Sequence, residues 1–289
     1  MNTKHNKTKK NKTRIKKPRK NKTTKFNSTR PSLKILHVGY PLYAAKSYEG
    51  STILKYNKEQ EEKYNNKCLM ENSSWFGDLK VAKSYKTKDN HIYKWSVNTK
   101  TNLLNINSYN EEFINNIFSR TNLKLTPTIS LKHKQREKIK DFEHPYLELT
   151  NNQKALYEFK FCFGFINVEE QYEFMRLIKY LIENKFIDIK RRDGTSILSK
   201  IKLKIKYYEI ASLLGKKEKY NRLSFYDFDK HAIMNLCKIV YENNMNISGV
   251  YQKNDTSFWF PELIVYKMDI QEYILFNPQD NLVYDKLIQ

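Results

Sequence analysis

Glu272 is a carboxylate that leads directly into the apolar run 273–276 near the end of the chain. A carboxylate beside a buried strand costs free energy unless hydrogen bonds or a function retain it there. Glu262 has a comparable setting before the apolar run 263–266, so the sequence offers two candidate catalytic carboxylates. The Asn277-Pro278 pair that closes the first run favours Glu272.

The aromatic segment 73–86 supplies the second set of candidate groups. Trp75 and Phe76 precede Asp78, a residue type that caps helix N-termini, and Tyr85 follows after a short predicted helix. Breaking a glycosidic C–N bond builds positive charge on the sugar, and a placed carboxylate offsets that charge. A flat aromatic ring orients a flat leaving group. The two segments therefore predict an enzyme that binds a nucleotide.

Three short patches resemble the catalytic domain of ADP-ribosyltransferases of the poly(ADP-ribose) polymerase type. The terminal patch QEYILFNPQ at 271–279 is similar to that family's final strand. The segment WFGDLKVAKSYK at 75–86 is similar to its aromatic segment, and LKILHVG at 33–39 resembles its early His-Gly strand. The resemblance implies transfer of ADP-ribose from NAD to a protein or nucleic-acid acceptor.

Site roles also follow from the resemblance. It implies that His37 hydrogen-bonds a ribose of NAD and that Tyr85 stacks on nicotinamide. Trp75 and Phe76 would form the pocket wall. Glu272, or Glu262 in its place, would hold the ribose 2′-hydroxyl and offset the charge at the reacting carbon.

Two departures from the family pattern leave a degenerate, inactive transferase as an alternative. Val38 separates His37 from Gly39, whereas the family has these two residue types adjacent. A rival alignment places PLYAAK at 41–46 on the same motif, and Ala44 then occupies the polar position.

The hydrophobic pattern predicts an α+β fold for residues 33–289, with a mixed or antiparallel sheet and flanking helices. A short strand followed by a Gly-Pro turn is predicted within 33–42, and further strands are predicted at 91–97, 103–106, 157–166, 246–252, 257–266 and 270–276. The predicted helices are 78–85, 109–120, 168–185, 196–214 and 229–243, although the alternation KIKLKIK at 200–206 also permits a strand. The polar stretch 121–150 is predicted to be a loop or linker, and 168–245 a helical insertion.

Residues 1–32 are predicted to form a disordered basic arm. The first 34 residues contain fourteen Lys or Arg and no Asp or Glu, within a chain of net charge +22. The arm contains few apolar residues, and burying them cannot offset the conformational entropy that the arm would lose on ordering. The stretch KKPRK at 16–20 predicts nuclear import or salt-dependent binding to nucleic acid or another polyanion.

A second functional hypothesis rests on this charge. It describes a non-enzymatic nucleic-acid-binding protein of a virion or nucleus, which uses the arm and the lysine-rich helix 197–206. The abundance of Lys, Asn, Ile and Tyr is typical of an A/T-rich genome, such as that of a large DNA virus.

The remaining composition indicates a nuclear or cytoplasmic protein without metal. Cys68, Cys162 and Cys237 are far apart and form no CxxC pair, which predicts reduced thiols. The six histidines are scattered and form no HExxH motif, so no metal site is expected. The chain contains no run of 18 apolar residues, so no membrane span is expected. No apolar leader follows the first Met, so no secretory signal is expected.

Overall fold

A computed structural model describes residues 32–46, 73–108, 111–139, 142–189, 196–215, 226–259 and 265–288. These residues form eight strands of one mixed sheet and seven α-helices, which confirms the α+β prediction. The strands are β1 (Leu33–Leu36), β2 (Pro41–Lys46), β3 (Ser73–Gly77), β4 (His91–Val97), β5 (Thr101–Asn105), β6 (Gly249–Trp259), β7 (Val265–Phe276) and β8 (Leu282–Leu287). The helices are α1 (Leu79–Ser84), α2 (Glu111–Arg120), α3 (His133–Arg136), α4 (Asn151–Cys162), α5 (Val168–Glu183), α6 (Leu198–Leu213) and α7 (Tyr226–Glu242). Residues 1–31 of the predicted arm lie outside the described residues, and so does Cys68.

Strands β1 and β2 pair with β5 and β4 as one long antiparallel ribbon that bends in its middle. Leu36 pairs with Thr101 and Pro41 pairs with Ser96, so the same register continues on both sides of the bend. Gly39 lies in the bend with φ +83°, a left-handed conformation that disfavours residues with a Cβ. The sequence predicted a short strand followed by a turn in 33–42, and the structure adds a second strand, β2, after that turn.

The bend in the ribbon requires the sheet to curl. The strand order is β1-β5-β6-β7-β3-β2-β4-β8, so β1 and β2 stand five places apart. Five interstrand spacings cover about 24 Å in a flat sheet. The four residues between β1 and β2 span at most about 18 Å. The sheet must therefore curl, so that β1 and β2 come close enough for these four residues to join them. Within the sheet, β5 and β6 are parallel neighbours.

Side chains alternate between the two faces of the curled sheet, and each face has its own core. The inner core includes Leu36, Leu42, Phe76, Trp95, Leu103, Tyr273 and Leu275. The outer core joins the sheet to the helices and includes Phe159, Phe174, Phe228, Leu236, Val250, Ile274 and Phe276. Consecutive residues of β7 thus face different cores, with Tyr273 on the inner face and Ile274 on the outer face. Glu272 shares the outer face with Ile274.

Helices α2 to α7 connect β5 to β6 and cover the outer face. The predictions for α5 and α7 are confirmed, and α6 is a helix rather than the alternative strand. Asn167 caps α5 because its side chain accepts the N–H of Glu170 at 2.8 Å.

The aromatic run 157–166 was predicted to be a strand, and this prediction is wrong because most of the run belongs to α4. Its aromatic residues alternate, which is the period of a strand. In α4, however, Phe159 and Phe161 are both buried because the helix is enclosed on more than one side. A capping box between Thr150 and Gln153 fixes the helix start.

The stretch predicted as a loop or linker, 121–150, packs against the helical layer through its first part. Leu125 and Ile129 are buried in the outer core. The Asn235 side chain of α7 accepts the N–H of Thr126 at 3.1 Å and donates to its carbonyl at 2.9 Å. This stretch is therefore held as part of the folded body.

Glu158, a buried carboxylate on α4, holds the same stretch in place. Glu158 accepts the N–H groups of Thr128 and Ile129 at 2.6 and 3.1 Å. The Tyr146 hydroxyl donates to Glu158 at 2.5 Å. Burial raises the pKa of Glu158, and these hydrogen bonds oppose the rise in part.

The chain ends in two long strands and one short strand, where the sequence predicted three short ones. The predicted strand 257–266 spans the end of β6 and the start of β7. The polar residues 253–257 interrupt the apolar alternation, although their main chain continues the ladder with β7. Gly249 begins β6 at a close approach, since a Cβ there would lie 2.1 Å from the Ile274 carbonyl oxygen.

Candidate functional site

Glu272 lies within β7, well after the strand begins, whereas the sequence indicated a position at the start of a strand. Its cross-strand neighbours are Gly77 on β3 and Gln252 on β6. Residues directly opposite each other in a sheet project to the same face. Gln252, Glu272 and Gly77 therefore form one row across three strands, which we call the site row.

Helix α1 brings Tyr85 to this row. Asp78 caps the helix as predicted, and its side chain accepts the N–H of Val81 at 2.8 Å. Tyr85 is the residue at the C-terminal cap, and Asn90 donates to its carbonyl at 3.1 Å. The Tyr85 hydroxyl lies 3.4 Å from Oε1 of Glu272, at the long end of hydrogen-bond distances. The structure thus joins two residues that the sequence singled out separately.

Gly77 allows α1 to lie close to the site row. A Cβ at this position would lie 2.6 Å from both Cβ and Cγ1 of Val81, which is closer than non-bonded carbons approach. The missing side chain thus lets the first turn of α1 rest on β3. The close contact fixes how far Tyr85 stands from Glu272.

Gln252 completes the row, and sequence reasoning missed it. It is buried, and its amide nitrogen donates to Oε2 of Glu272. Asn107 holds the next residue of β6, because its side chain bonds both the N–H and the carbonyl of Lys253 at 2.5 Å. Only the pairing of β6 with β7 places Gln252 here, so no local sequence signal identifies it.

Both carboxylate oxygens of Glu272 therefore have donors. Oε1 faces the Tyr85 hydroxyl and Oε2 faces the Gln252 amide. Gln252 lies on β6 and Tyr85 lies at the end of α1. Two donors from separate elements fix the plane of a carboxylate more firmly than one donor does. The Tyr85 side of the pair remains open, since Tyr85 is 55% exposed.

His37 does not join this pair. It lies in the bend between β1 and β2, where its side chain is exposed and its carbonyl accepts the N–H of Tyr40 at 3.0 Å. Within the described residues, no hydrogen bond links the His37 ring to Tyr85 or Glu272. Ala44, the residue of the rival alignment, is buried in the inner core.

Trp75 and Phe76 lie on opposite faces of β3, so they do not form one pocket wall. Phe76 is buried in the inner core, with its ring centroid 5.2 Å from that of Trp95. Strand alternation points Phe76 away from Glu272, and its predicted contact with a ligand stays a prediction. Trp75 lies on the Glu272 face, opposite Ile274, where it packs against the outer core.

A tyrosine cluster supports β7 from the inner face. The Tyr273 hydroxyl lies 2.8 Å from that of Tyr40 and donates to the Gln271 side chain at 3.1 Å. The Tyr251 ring packs on Tyr273 with a centroid separation of 5.3 Å. Burial and the Tyr40 hydroxyl raise the pKa of Tyr273 above that of an ordinary phenol. The strand that carries Glu272 is thus fixed on both faces.

Asn277 and Pro278 end β7, but they do not contact Glu272 through any bond that the structure describes. Asn277 adopts φ +44°, and its side chain donates to the Tyr241 hydroxyl. Glu262, the second candidate carboxylate, lies outside the described residues. Its part in the site stays a prediction.

Among the described residues, no group of three or more His, Cys, Asp or Glu side chains is arranged to hold a metal ion. No helix in the described ranges has the length and apolar character needed to cross a membrane. In comparisons with known proteins, no family model, no curated protein and no solved structure matches this chain.

Proposed function

We propose that this protein binds NAD at the Tyr85–Glu272 pair and transfers ADP-ribose to a protein or nucleic-acid acceptor. The single observation that supports the proposal is the contact between Tyr85 and Glu272. They belong to two separate segments that resemble the same transferase family, and their side chains meet across 187 residues of sequence.

The chemistry required of the site is modest. The bond between C1′ of the ribose and the nicotinamide nitrogen breaks, and its electron pair leaves with the nicotinamide. An acceptor hydroxyl or amine then bonds to C1′ and releases its proton to solvent, whereas an acceptor carboxylate bonds to C1′ as the anion, with no proton to release. Water in place of the acceptor gives hydrolysis to free ADP-ribose.

Glu272 has two tasks in this reaction. Its carboxylate accepts a hydrogen bond from a ribose hydroxyl and offsets the positive charge that develops at C1′. Gln252 keeps the carboxylate plane in position, because its amide occupies the second oxygen. A fixed carboxylate stabilises the transition state without reorganising during the reaction.

Tyr85 offers a ring and a hydroxyl at the open side of the carboxylate. The exposed ring can stack on the flat nicotinamide, which agrees with the role that the resemblance implies. Its hydroxyl is close enough to Glu272 for the two groups to bind neighbouring atoms of one ligand. His37 is given no role in this proposal.

The test measures release of nicotinamide from NAD by the full-length chain, because this readout does not depend on the acceptor. Glu272→Gln should lower the rate by about a hundredfold or more, as removal of one electrostatic stabiliser does in other enzymes. Glu262→Gln distinguishes the two candidate carboxylates and should leave the rate unchanged. Glu209→Gln is a matched control, since Glu209 on α6 bonds Tyr172 at 2.9 Å.

Three outcomes separate the alternatives. If the wild-type chain neither binds NAD nor releases nicotinamide, the proposal fails. If it binds NAD without turnover, and Glu272→Gln weakens that binding, the domain is a degenerate transferase that retains the substrate site. If Glu262→Gln abolishes turnover and Glu272→Gln does not, the carboxylate is misassigned.

The nucleic-acid hypothesis remains a separate prediction. It rests on the charge of residues 1–32, nearly all of which lie outside the described residues, and on the lysine-rich stretch 197–206, most of which belongs to α6. The arm and the Tyr85–Glu272 pair are independent features, so one protein can have both activities. Deleting the arm separates the two functions.

A further inference from the structure

Strands β6 and β7 continue past their neighbours in the sheet as a two-stranded ribbon. On one side β3 ends opposite Glu272, and on the other side β5 ends opposite Tyr251. From there the two strands pair only with each other among the described strands, over residues 253–259 and 265–271. We call these two ranges the projecting ribbon. Its seven residue pairs span roughly 20 Å, at about 3.4 Å per residue.

The side chain of Asn107 shows how the main chain of the ribbon is oriented. Asn107 follows β5, on the side of β6 away from β7, and it bonds both the N–H and the carbonyl of Lys253. Lys253 and its partner Gln271 therefore exchange no main-chain hydrogen bond, because bonded and non-bonded pairs alternate in an antiparallel ladder. The main-chain groups of Gln271 point to the other edge, where its carbonyl oxygen lies 3.3 Å from a Cβ placed at Gly77 of β3.

The same alternation defines the outer edge of β7, the edge that faces away from β6 along residues 265–271. Every second residue repeats the orientation of Gln271, so positions 265, 267 and 269 also direct an N–H and a carbonyl outward. No strand among the described residues pairs with this edge, since β3 pairs with β7 only at 272–276. Neither a register shift nor a proline interrupts it. The edge thus offers donors and acceptors at the repeat of an extended chain.

The two edges of the ribbon differ at their inner ends. On the β6 edge, Asn107 occupies the main-chain groups of Lys253 in place of a third strand. The outer edge of β7 instead begins beside Glu272 and Tyr85. Residues directly opposite each other share a face, and every second residue returns to it. A residue of an added strand opposite position 270 therefore projects to the Glu272 face, about 7 Å from the site row.

We propose that the outer edge of β7 binds an extended segment of a partner protein as an added strand, and that this segment carries the acceptor of ADP-ribose. Main-chain hydrogen bonds supply the affinity, so the edge selects an unfolded or flexible segment. Alternation then presents every second side chain of the segment to the Glu272 face. The identity of the acceptor rests on the proposed function, whereas strand addition does not.

The transfer to such a segment is balanced for a serine hydroxyl. The hydroxyl oxygen bonds to C1′ of the ribose as the bond between C1′ and the nicotinamide nitrogen breaks. The electron pair of that bond leaves with nicotinamide, and the hydroxyl proton passes to solvent. No further reactant is required.

Other occupants fit this edge less well. Nucleic acid has no main chain of alternating N–H and carbonyl groups, so it cannot continue the ladder. A second copy of the chain is the closest competitor, because two unpaired strand edges can pair with each other. The position of the edge beside the Tyr85–Glu272 pair favours a substrate, since a second copy would occupy the place of the acceptor.

The test of strand addition uses three fluorescent peptides about eight residues long, all with alternating Ser and Val. The first is unmodified, the second is N-methylated at every second residue, and the third is N-methylated at every residue. The second peptide keeps one edge that can donate hydrogen bonds, and the third keeps none. Anisotropy without NAD measures binding to the full-length chain. The first two peptides should bind, and the third at least about tenfold more weakly.

Proline substitutions locate the binding edge on the protein. Lys267→Pro with Asp269→Pro removes two outward N–H donors and keeps the bonds with β6, in which these residues take no part. Affinity for the unmodified peptide should fall at least about tenfold. The matched control, Asp255→Pro with Ser257→Pro, makes the same change on the β6 edge and should leave binding intact. Thermal unfolding of both variants checks that they are equally folded.

The acceptor role is measured separately, with labelled NAD and the unmodified peptide. Label should appear on a serine of the peptide, and the Lys267→Pro, Asp269→Pro variant should transfer at least about tenfold less. If nicotinamide is released and the peptide stays unlabelled, the assignment of the acceptor is wrong. If the peptide binds and no nicotinamide is released, the proposed function fails and strand addition stands.

Three results overturn strand addition itself. The first is equal binding of the three peptides, and the second is binding of none. The third is a dimer, seen by sedimentation, that the Lys267→Pro, Asp269→Pro variant dissociates, because the edge then belongs to a second copy of the chain.

Discussion

The hydroxyl of Tyr85 lies 3.4 Å from Oε1 of Glu272, although 187 residues separate the two positions in sequence. The contact depends on the pairing of β3 with β7, which sets Gly77 opposite Glu272. Eight residues after Gly77, the end of α1 returns the chain to the same row. Two distant sequence segments thus become one site through a strand pair and a single short helix.

Replacing Tyr85 with Phe tests the hydroxyl apart from the ring. Under the proposed function, Tyr85→Phe keeps the stacking surface and should change NAD affinity little. The rate of nicotinamide release should fall by about tenfold, the worth of one hydrogen bond to a charged group. Tyr85→Ala should weaken NAD binding as well. Equal effects of the two variants on binding would contradict a separate role for the hydroxyl.

Gln252→Leu removes the second donor to Glu272 with little change in volume. We expect nicotinamide release to fall by about ten- to a hundredfold, while NAD affinity changes less, because Gln252 positions the carboxylate and does not face the ligand. Steady-state kinetics that separate kcat from KM measure this difference. A parallel loss of thermal stability and of binding would instead indicate a purely structural residue.

Gly77→Ala should disturb the site from beneath α1. The added Cβ meets Val81 at 2.6 Å, so α1 must shift away from β3 and carry Tyr85 with it. Overpacking of this kind costs about 1–3 kcal/mol of unfolding free energy. Chemical denaturation measures the loss, and Lys80→Ala on the exposed side of α1 is the control. Unchanged stability and unchanged activity would show that α1 does not rest on Gly77.

Glu158 gives a prediction that is independent of any ligand. Burial raises the pKa of Glu158, so the folded protein holds a proton at pH values where the unfolded chain releases it. The free energy of unfolding should therefore decrease as pH rises above the ordinary value of 4.5, by up to about 1.4 kcal/mol per pH unit, until the raised pKa is passed.

Urea denaturation across this pH range should show the decrease in the wild type and a flatter profile in Glu158→Gln, which cannot titrate. Glu143→Gln, at an exposed position, should follow the wild type. If the stability difference between wild type and Glu158→Gln grows in favour of the wild type as pH rises, the carboxylate is stabilised in its charged form and the prediction is wrong.

Deleting residues 1–32 tests the basic arm. Affinity for duplex DNA or heparin should fall, and the dependence of the binding constant on salt should flatten, because fewer counterions are released. Nicotinamide release should persist if the proposed enzyme is correct. A chain of equal length with Gln at every Lys and Arg of the arm separates charge from length. Unchanged salt dependence after deletion would assign the polyanion contact elsewhere.

Local patterns in the sequence were enough to predict several elements correctly. The Asp78 cap, the strand at 91–97 and the amphipathic helix at 168–185 each depend on residues near one another in sequence. The failure at 157–166 has a physical cause, because a helix enclosed on several sides buries alternating aromatic residues and then imitates a strand. The nearby capping box at Thr150 and Gln153 was the local signal that identifies the helix.

The amino-acid sequence by itself determined the class of fold and identified Tyr85 and Glu272 as separate candidates. Only the tertiary structure brought them together, left His37 outside the pair, sent Phe76 into the inner core and supplied Gln252. The reason is that cross-strand register joins residues by main-chain hydrogen bonds between distant segments, and side-chain alternation then decides which face each one reaches. Neither the cross-strand register nor the face that a given side chain reaches can be read from a short stretch of the chain.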